Sequence, residues 1–498
     1  MARILIVHPN RWGRGITAVW IPSHTSLLRS AGHEVELFDA TFYRDWMISE
    51  TAFNTVNQQY TPSSYEDQIV INEKNVPEAL SDTIDSFQPD IIFWSAFSSH
   101  IHGEGEYVNI QYGYKLISQV QLHENCFLIT GGLQATADPK HVFSNYPDIN
   151  YLIQGESEFV LRDIADSLST EKNINEIRGV VSLSEGIVNR NQPQEIIKDM
   201  DTIGPYDYSV FEDQVFFRPY NGNVVRAVDY ELSRGCIYTC SYCVETVIQS
   251  YYGFNERNNK GTLVGATNYL RNKSAHRVYE ELSFLNGNFG VELFRCQDTN
   301  FLTIDKSVLI ELSELLREKP LSIKLYIETR PDGINASTIK LLSSLQVDGI
   351  GMGIELASED FRETKLHRYS SRDVIIEAFK LLKSAGTKRT AYNIIGIPNE
   401  TEEMILETIR FNSVLNPDNI TVAFCSPYLG TAQQVEGVTI SDFEDYEFDV
   451  DAQLRTLSKS SNIGKEMLEF YKSLFVSLAR DGLGRLEEMK TEWLENHS

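Results

Sequence analysis

Three of the six cysteines fall within eight positions, in the string Cys236-Ile237-Tyr238-Thr239-Cys240-Ser241-Tyr242-Cys243. Three thiols this close suggest a shared metal or cluster, because the ligating form of cysteine is the thiolate. Structural zinc takes four ligands, usually as two pairs. No fourth ligand is close by, since the next histidine is His276 and the next cysteine Cys296. A four-iron cluster takes one thiolate per iron, so three cysteines leave one iron open to a chelating small molecule. The alternative is three structural thiols in an apolar loop. Gly235, Ser241 and the two tyrosines make this a poor core segment. The spacing C-x3-C-x2-C therefore points to an open cluster. Cys126, Cys296 and Cys425 lie in apolar runs and read as core residues.

The elements that must position this loop form a βα series. Apolar runs at 228–233, 291–296, 323–329, 350–355, 391–397 and 420–425 read as strands. Helical patterns lie between them, for example at 307–317, 337–345, 371–385 and 402–412. Six such units predict a (βα)6 partial TIM barrel over residues 226–432. The cysteines follow its first strand, in the kind of loop where such barrels carry chemistry.

A second series precedes it. Runs at 3–7, 34–38, 90–94, 126–130 and 151–153 are continuously apolar, as parallel strands covered on both faces are. Residues 1–165 are thus predicted to be a doubly wound, Rossmann-like α/β domain. Its ligands would sit at the carboxyl ends of the strands. Those ends carry His8 and Asn10, Ser95, Gly131 and Gly132, and Gly155 and Glu156. Each Gly pair also fits an ordinary tight turn. A long polar and aromatic stretch at 41–75 interrupts the rhythm, and its length suggests a lid or a surface embellishment. Residues 166–225 read as a linker with one or two small strands, and 433–498 as an acidic, then helical, C-terminal region.

The chain has 498 residues and a formal charge of −26, which argues against a general nucleic-acid-binding surface. Apolar residues make up 42 %, enough for large cores and too many for global disorder. Six cysteines in this length are not a disulfide scaffold. The first apolar run stops at His8-Pro9, too soon for a signal peptide, and no run is long enough to span a membrane. A cytoplasmic location is expected.

The string Cys236–Cys243 resembles the cluster motif of the radical S-adenosylmethionine enzymes, including the aromatic Tyr242 before the third cysteine. Further similarities follow in order along the barrel. They are Asp298-Thr299-Asn300-Phe301, Thr329-Arg330-Pro331-Asp332, Gly353-Ile354-Glu355, the segment from Ile395 to Thr401, and Pro427-Tyr428-Leu429-Gly430-Thr431. The resemblance implies a [4Fe-4S] cluster on Cys236, Cys240 and Cys243. S-adenosylmethionine would chelate the open iron and be cleaved by one electron to a 5′-deoxyadenosyl radical. It further implies that Tyr242 and Ile397 lie against adenine, that Glu355 and Arg330 face the ribose or methionyl part, and that Asp298 meets the amino group. The fourth strand departs from the family pattern, reading Gly-Ile-Glu-Leu where Gly-Ile-Glu-Ser is commoner. A Gly-Gly-Glu turn is also absent from the second strand.

A doubly wound domain ahead of such a barrel resembles the cobalamin-binding branch of that superfamily. Leu128 to Thr136 is similar to its Gly-Gly turn, and Gly155-Glu156-Ser157-Glu158 to its Gly-Glu-x-Glu turn. On this resemblance His8, Asn10, Ser95, Gly131, Gly132, Gly155 and Glu156 would contact cobalamin. The D-x-H-x-x-G motif of many cobalamin domains is absent, and Ser98-Ser99-His100-Ile101-His102-Gly103 reads as a chance approximation. The methylthiotransferase branch needs further N-terminal cysteines, and only Cys126 precedes the three. The resemblance implies a C-methyltransferase that moves a methyl group through cobalamin to an unactivated carbon. The substrate would be a small molecule held between the two domains, under the stretch at 46–65 and the C-terminal helices. An external electron donor such as flavodoxin or ferredoxin would complete the system. A cyclase or rearrangement enzyme using cobalamin without methyl transfer, and a non-catalytic cobalamin or cluster sensor, stand as alternatives.

Overall fold

A computed structural model describes residues 1–47, 61–97, 103–170, 172–425, 428–432 and 461–497. The first sheet contains β1 (Arg3–His8), β2 (Glu34–Asp39), β3 (Ile91–Trp94), β4 (Phe127–Thr130), β5 (Tyr151–Ile153), β6 (Val180–Ser184) and β7 (Ile187–Arg190). Their order is β2-β1-β3-β4-β5-β6-β7. The first five are parallel, and β6 and β7 extend the sheet as antiparallel strands. Ile4 to Val7 and Ile91 to Trp94 are buried throughout, because helices cover both faces. The strand order reverses direction between β1 and β3, and the carboxyl ends of those two strands frame the crevice of a doubly wound fold.

The second sheet follows β8 (Phe217–Tyr220) and β9 (Asn223–Tyr230). A short pair, β10 (Ser233–Arg234) and β11 (Arg271–Asn272), stands apart from it. The sheet continues with β12 (Leu293–Cys296), β13 (Lys324–Thr329), β14 (Val347–Glu355), β15 (Lys388–Ile395) and β16 (Asn419–Phe424), in the order β16-β15-β14-β13-β12-β9-β8. Six of its strands are parallel, as a six-unit partial barrel requires, and β8 forms an antiparallel hairpin with β9. Asn221 and Gly222 turn that hairpin with φ of 50° and 79°, the pair of positive values that a two-residue I′ turn needs.

The run read as one strand at 228–233 is broken after Tyr230. Asp298 Oδ1 accepts hydrogen bonds from the backbone N–H of Leu232 (3.0 Å) and Ser233 (2.6 Å), which turns the chain out of the barrel sheet and into β10.

Four helices between the barrel strands begin at side-chain caps. Ser274, Asp305, Ser371 and Thr401 each accept a first-turn N–H. One apolar core runs through both sheets, from Ile4 and Phe93 past Trp20 and Phe216 to Val228, Phe294 and Ile350. The C-terminal helix Lys465–Asp481 lies on β16 and on the helix Glu402–Leu415, burying Leu468, Tyr471 and Phe475 against Ile409 and Val422. It thereby covers the outer face of the last barrel strand. Among the described residues no helix is long and apolar enough to cross a membrane.

Candidate active site

The cysteine loop leaves β10 through Gly235, whose φ of 95° and contact with Tyr269 leave no room for a side chain. Its shape is held mainly by the helix that follows, Glu245–Tyr251. The N–H of Cys236 donates to Glu245 Oε1 at 3.1 Å. Gln249 Nε2 donates to the carbonyls of Cys236 (2.9 Å) and Tyr238 (3.0 Å). On the other side Thr239 donates to the Gly261 carbonyl, and Ser241 to the carbonyls of Leu366 and Lys365. The loop is thus fastened at both ends before any ligand arrives.

Burial and the neighbouring Glu245 push the Cys236 thiol up to about 12. Burial, then Cys240, raise Cys243 well above the usual thiol range. Cys236 and Cys243 are thus disfavoured as thiolates by the protein alone, and a bound cation would draw them into that form. Among the described residues no three His, Cys, Asp or Glu side chains converge on a single ion. Three thiolates suit a cluster, in which each takes a different iron. Arg330 Nη1 lies 3.7 Å from Cys240 Sγ, so a guanidinium stands ready to offset cluster charge.

The other residues assigned by resemblance to S-adenosylmethionine surround this loop. Tyr242 Oη donates to Glu355 Oε1 at 2.8 Å, and Arg368 Nη1 lies 3.3 Å from the same oxygen. Arg368 also reaches the Gly353 carbonyl. Glu355 ends β14 with a left-handed φ of 62°, strain that these partners hold in place. Ile397 is buried with Leu356, Phe361, Leu366 and Cys425, and Tyr242 packs against that group. Asp298 uses Oδ1 on the β10 turn, while its buried Oδ2 has no partner among the described residues. Burial outweighs those hydrogen bonds and brings its pKa to about 7. Arg330 stacks over the Tyr238 ring and pairs with Asp332 at 3.1 Å.

The residues assigned to cobalamin divide into two groups. His8, Ser95, Gly131 and Gly132 stand at the carboxyl ends of β1, β3 and β4, where the doubly wound crevice opens. His8 Nδ1 lies 3.4 Å from Asp39 Oδ2. The buried Ser95 Oγ and Gln134 Oε1 have no partner among the described residues, which suits a ligand rich in amides and phosphate oxygens. Asn10 braces its own loop, bonding Arg14, Thr41 and Trp12.

Gly155 and Glu156 face the barrel instead. A Cβ on Gly155 would run into Tyr251 and Tyr252, and Tyr252 Oη accepts the Glu156 N–H at 2.8 Å. The Glu156 carboxylate takes Arg271 at 2.7 Å and the Ile197 N–H at 2.8 Å. Arg234, next to the cysteine loop, joins Glu156, Glu158 (2.5 Å) and Glu231 (2.7 Å) in one buried network. The crevice edge, with Phe97 and Leu133, also packs on Val244, Val247 and Ile248 behind the cysteines. The two mouths therefore meet across one seam.

Residues 98–102 of the histidine string, 48–60 of the suspected lid and the acidic tract at 442–451 lie outside the described residues. On either side of 48–60 the chain is anchored, with Trp46 edge-on to Tyr112 and Tyr65 Oη accepting the Gly15 N–H. Sequence reasoning missed Glu245, Gln249, Arg234 and Arg368. Glu245 and Gln249 are four apart on a helix that starts beside the third cysteine, a readable pattern. Arg368 lies 126 positions from Tyr242 and carries no local signal.

Residues 230–411 match the Radical SAM superfamily model. An uncharacterized methyltransferase of Pyrococcus horikoshii is 26 % identical over 352 residues, 71 % of this chain and 70 % of that protein. The anaerobic magnesium-protoporphyrin IX monomethyl ester cyclase of Cereibacter sphaeroides is 23 % identical over 459 residues, 90 % of this chain and 66 % of that one. Among solved structures, the radical S-adenosylmethionine methyltransferase TsrM from Kitasatospora setae, with tryptophan and an S-adenosylmethionine analogue bound, aligns with a TM-score of 0.63 at 16 % identity, covering 87 % of this chain and 75 % of that one. A second structure of TsrM holds cobalamin and a [4Fe-4S] cluster. At that identity the likeness is one of fold. The matched segment, residues 230–411, is a radical SAM domain, and such a domain brings S-adenosylmethionine and a [4Fe-4S] cluster with it.

Proposed function

We propose that this enzyme is a cobalamin-dependent radical S-adenosylmethionine methyltransferase acting on a carbon of a small-molecule substrate. The observation that carries this reading is the fastened three-thiol loop set directly against the crevice of a doubly wound sheet. When bound, a [4Fe-4S] cluster supplies the electron that cleaves S-adenosylmethionine, and cobalamin supplies methyl-carrier chemistry. The protein's own part is placement. Cys236, Cys240 and Cys243 hold the cluster, and Arg330 balances its charge. Tyr242, Glu355 and Arg368 form a polar wall whose members fix one another. Asp298 offers its free Oδ2 to an ammonium or holds a proton there. His8, Ser95, Gly131, Gly132 and Gln134 line the cobalamin crevice, and the buried seam keeps water from the space between. The electron comes from an external donor such as flavodoxin or ferredoxin.

The match to a cyclase over 90 % of the chain favours a second reading, ring closure without methyl transfer. Anaerobic reconstitution tests the first half of the proposal. Wild type should gain a cluster absorbance and release 5′-deoxyadenosine on reduction, and Cys240→Ala should lose both. Absence of both in wild type sinks the proposal. Product mass decides between the readings, since methylation adds one methylene per turnover and cyclisation does not.

A further inference from the structure

The concave face of the barrel sheet carries charges that the cluster chemistry does not use. Arg295 on β12 pairs in register with Asp229 on β9 and Tyr326 on β13. Asp229 is fully occupied. It takes Arg218, the Thr17 N–H at 3.1 Å and Gln297 Nε2 at 2.6 Å. Against the effect of burial, Arg218 and Arg295 hold its carboxyl down to about 2. Glu328 on β13 accepts from Tyr392 Oη at 3.0 Å, and Tyr392 meets Tyr326 Oη at 2.8 Å. Burial raises the Glu328 carboxyl, against the pull of Arg295.

Arg295 is a second cation beside Asp229, which it feels without a hydrogen bond. Its guanidinium carbon lies 5.8 Å from the Tyr326 ring centroid, and it makes no hydrogen bond or ion pair among the described residues. It is half-buried and keeps access to solvent. A guanidinium has five donors in a fixed fork, and no described residue takes any of these. The fork matches a carboxylate or a phosphate with two parallel bonds.

Two further features fit an anionic guest. Arg218, lowered by burial, also feels Arg295 and Arg14, so three guanidiniums gather around Asp229 in a chain of charge −26. The place also lies between the two halves. Thr17 reaches it from the doubly wound domain, and Asp298, three positions beyond Arg295, sets the turn into the cysteine loop.

We propose that Arg295 docks a carboxylate or phosphate group of the substrate inside the barrel, which makes the substrate an organic acid or phosphate ester anchored by its anionic end. This rests on the barrel being the reaction chamber of the proposed methyltransferase.

Binding to the reconstituted full chain, measured by calorimetry or ligand-observed NMR with benzoate, phenyl phosphate and benzamide, tests it. Benzoate or phenyl phosphate should bind more tightly than neutral benzamide, and the tighter of the two names the anion. Arg295→Gln should weaken the acid by about tenfold or more while benzamide is unaffected, as expected for charge-assisted bonds. Arg295→Lys keeps the charge without the fork and should fall between, which also serves if Arg295→Gln does not load its cluster. Equal binding of acid and amide by wild type, or unchanged acid binding in the variants, overturns the assignment. The two readings fail separately. Absence of 5′-deoxyadenosine from wild type removes the radical reading, whereas the acid-versus-amide result concerns Arg295 alone.

Discussion

Each parallel sheet holds a non-glycine residue in the left-handed region at a strand's carboxyl end. Ser95 follows β3 with φ 62°, and Glu355 ends β14 with φ 62°. The backbone penalty is similar, on the order of 1 kcal/mol or more at each place. The surroundings differ. Glu355 is fastened by Tyr242 and Arg368, so side chains hold the strain. Ser95 is buried with its hydroxyl unmatched by any described residue, and its carbonyl accepts from the Gly131 N–H at 3.0 Å. The barrel mouth is built from charged side chains that define one another before a cofactor binds. The crevice of the first sheet is built from backbone turns and small groups. A compact charged cofactor at a cluster suits the first arrangement, and a large amide-rich ligand suits the second.

The largest effect should come at the seam between them. Arg234 serves three carboxylates, and Glu158 and Glu231 outweigh burial to raise its pKa further. Arg234→Met would leave those carboxylates buried without their cation. It should cost about 3–5 kcal/mol in equilibrium unfolding by denaturant. A loss below about 1 kcal/mol would mean that the two halves do not depend on this network.

Glu355→Gly comes next, and it separates strain from function. Glycine relieves the left-handed backbone but strands Arg368, so the net change should be a loss of about 2 kcal/mol. The variant should also lose most 5′-deoxyadenosine formation while retaining its cluster absorbance. A gain in stability would show that Arg368 does not need the carboxylate.

How legible each region was in the sequence follows from the same contrast. The chemistry of the barrel resides in residue types at fixed spacing, so Cys236, Cys240 and Cys243 announce a site without a structure. The strand ends bearing Asp298, Arg330 and Glu355 follow from the βα rhythm. The crevice is written in glycines, and glycine serves a turn, a ligand or a neighbour equally well. Gly155 illustrates this, since its absent side chain makes room for Tyr251 and Tyr252 rather than leaving an open surface. The β8–β9 hairpin was readable from Asn221-Gly222 and went unread inside a stretch taken as linker. The break after Tyr230 was not readable, because its cause, Asp298, lies 66 positions from Leu232.

A smaller effect concerns pH. Glu400 is fully buried behind Gly396 and Ile397, and burial outweighs the two N–H donors to bring its pKa to about 8. In the unfolded chain the same group ionises near 4.5. The folded state therefore keeps a proton that the unfolded state releases. Its favourable contribution is present below about pH 4.5 and is lost as pH rises through 8. Glu400→Gln keeps an acceptor for both N–H groups and removes the titration. Between pH 5 and 8.5 wild type should lose stability relative to the variant by roughly 1–3 kcal/mol, read from melting at each pH. Parallel pH profiles would show that Glu400 is solvated or paired.

The smallest effect belongs to Ser95. Glycine adopts the left-handed conformation without penalty, and Ser95→Gly also removes a buried hydroxyl with no partner among the described residues. Greater freedom of glycine in the unfolded chain takes back part of that gain, about 0.4–1 kcal/mol. The apoprotein should therefore be more stable by roughly 0.5–1 kcal/mol, with no pH dependence of its own because no titrating group is involved. If the hydroxyl serves cobalamin, the same variant should retain less cobalamin through gel filtration than wild type, while its cluster absorbance is unchanged. Stability and ligand retention then move in opposite directions, which a purely structural serine would not produce. A variant that loses stability would place Ser95 with Glu355, as a residue held by the protein itself.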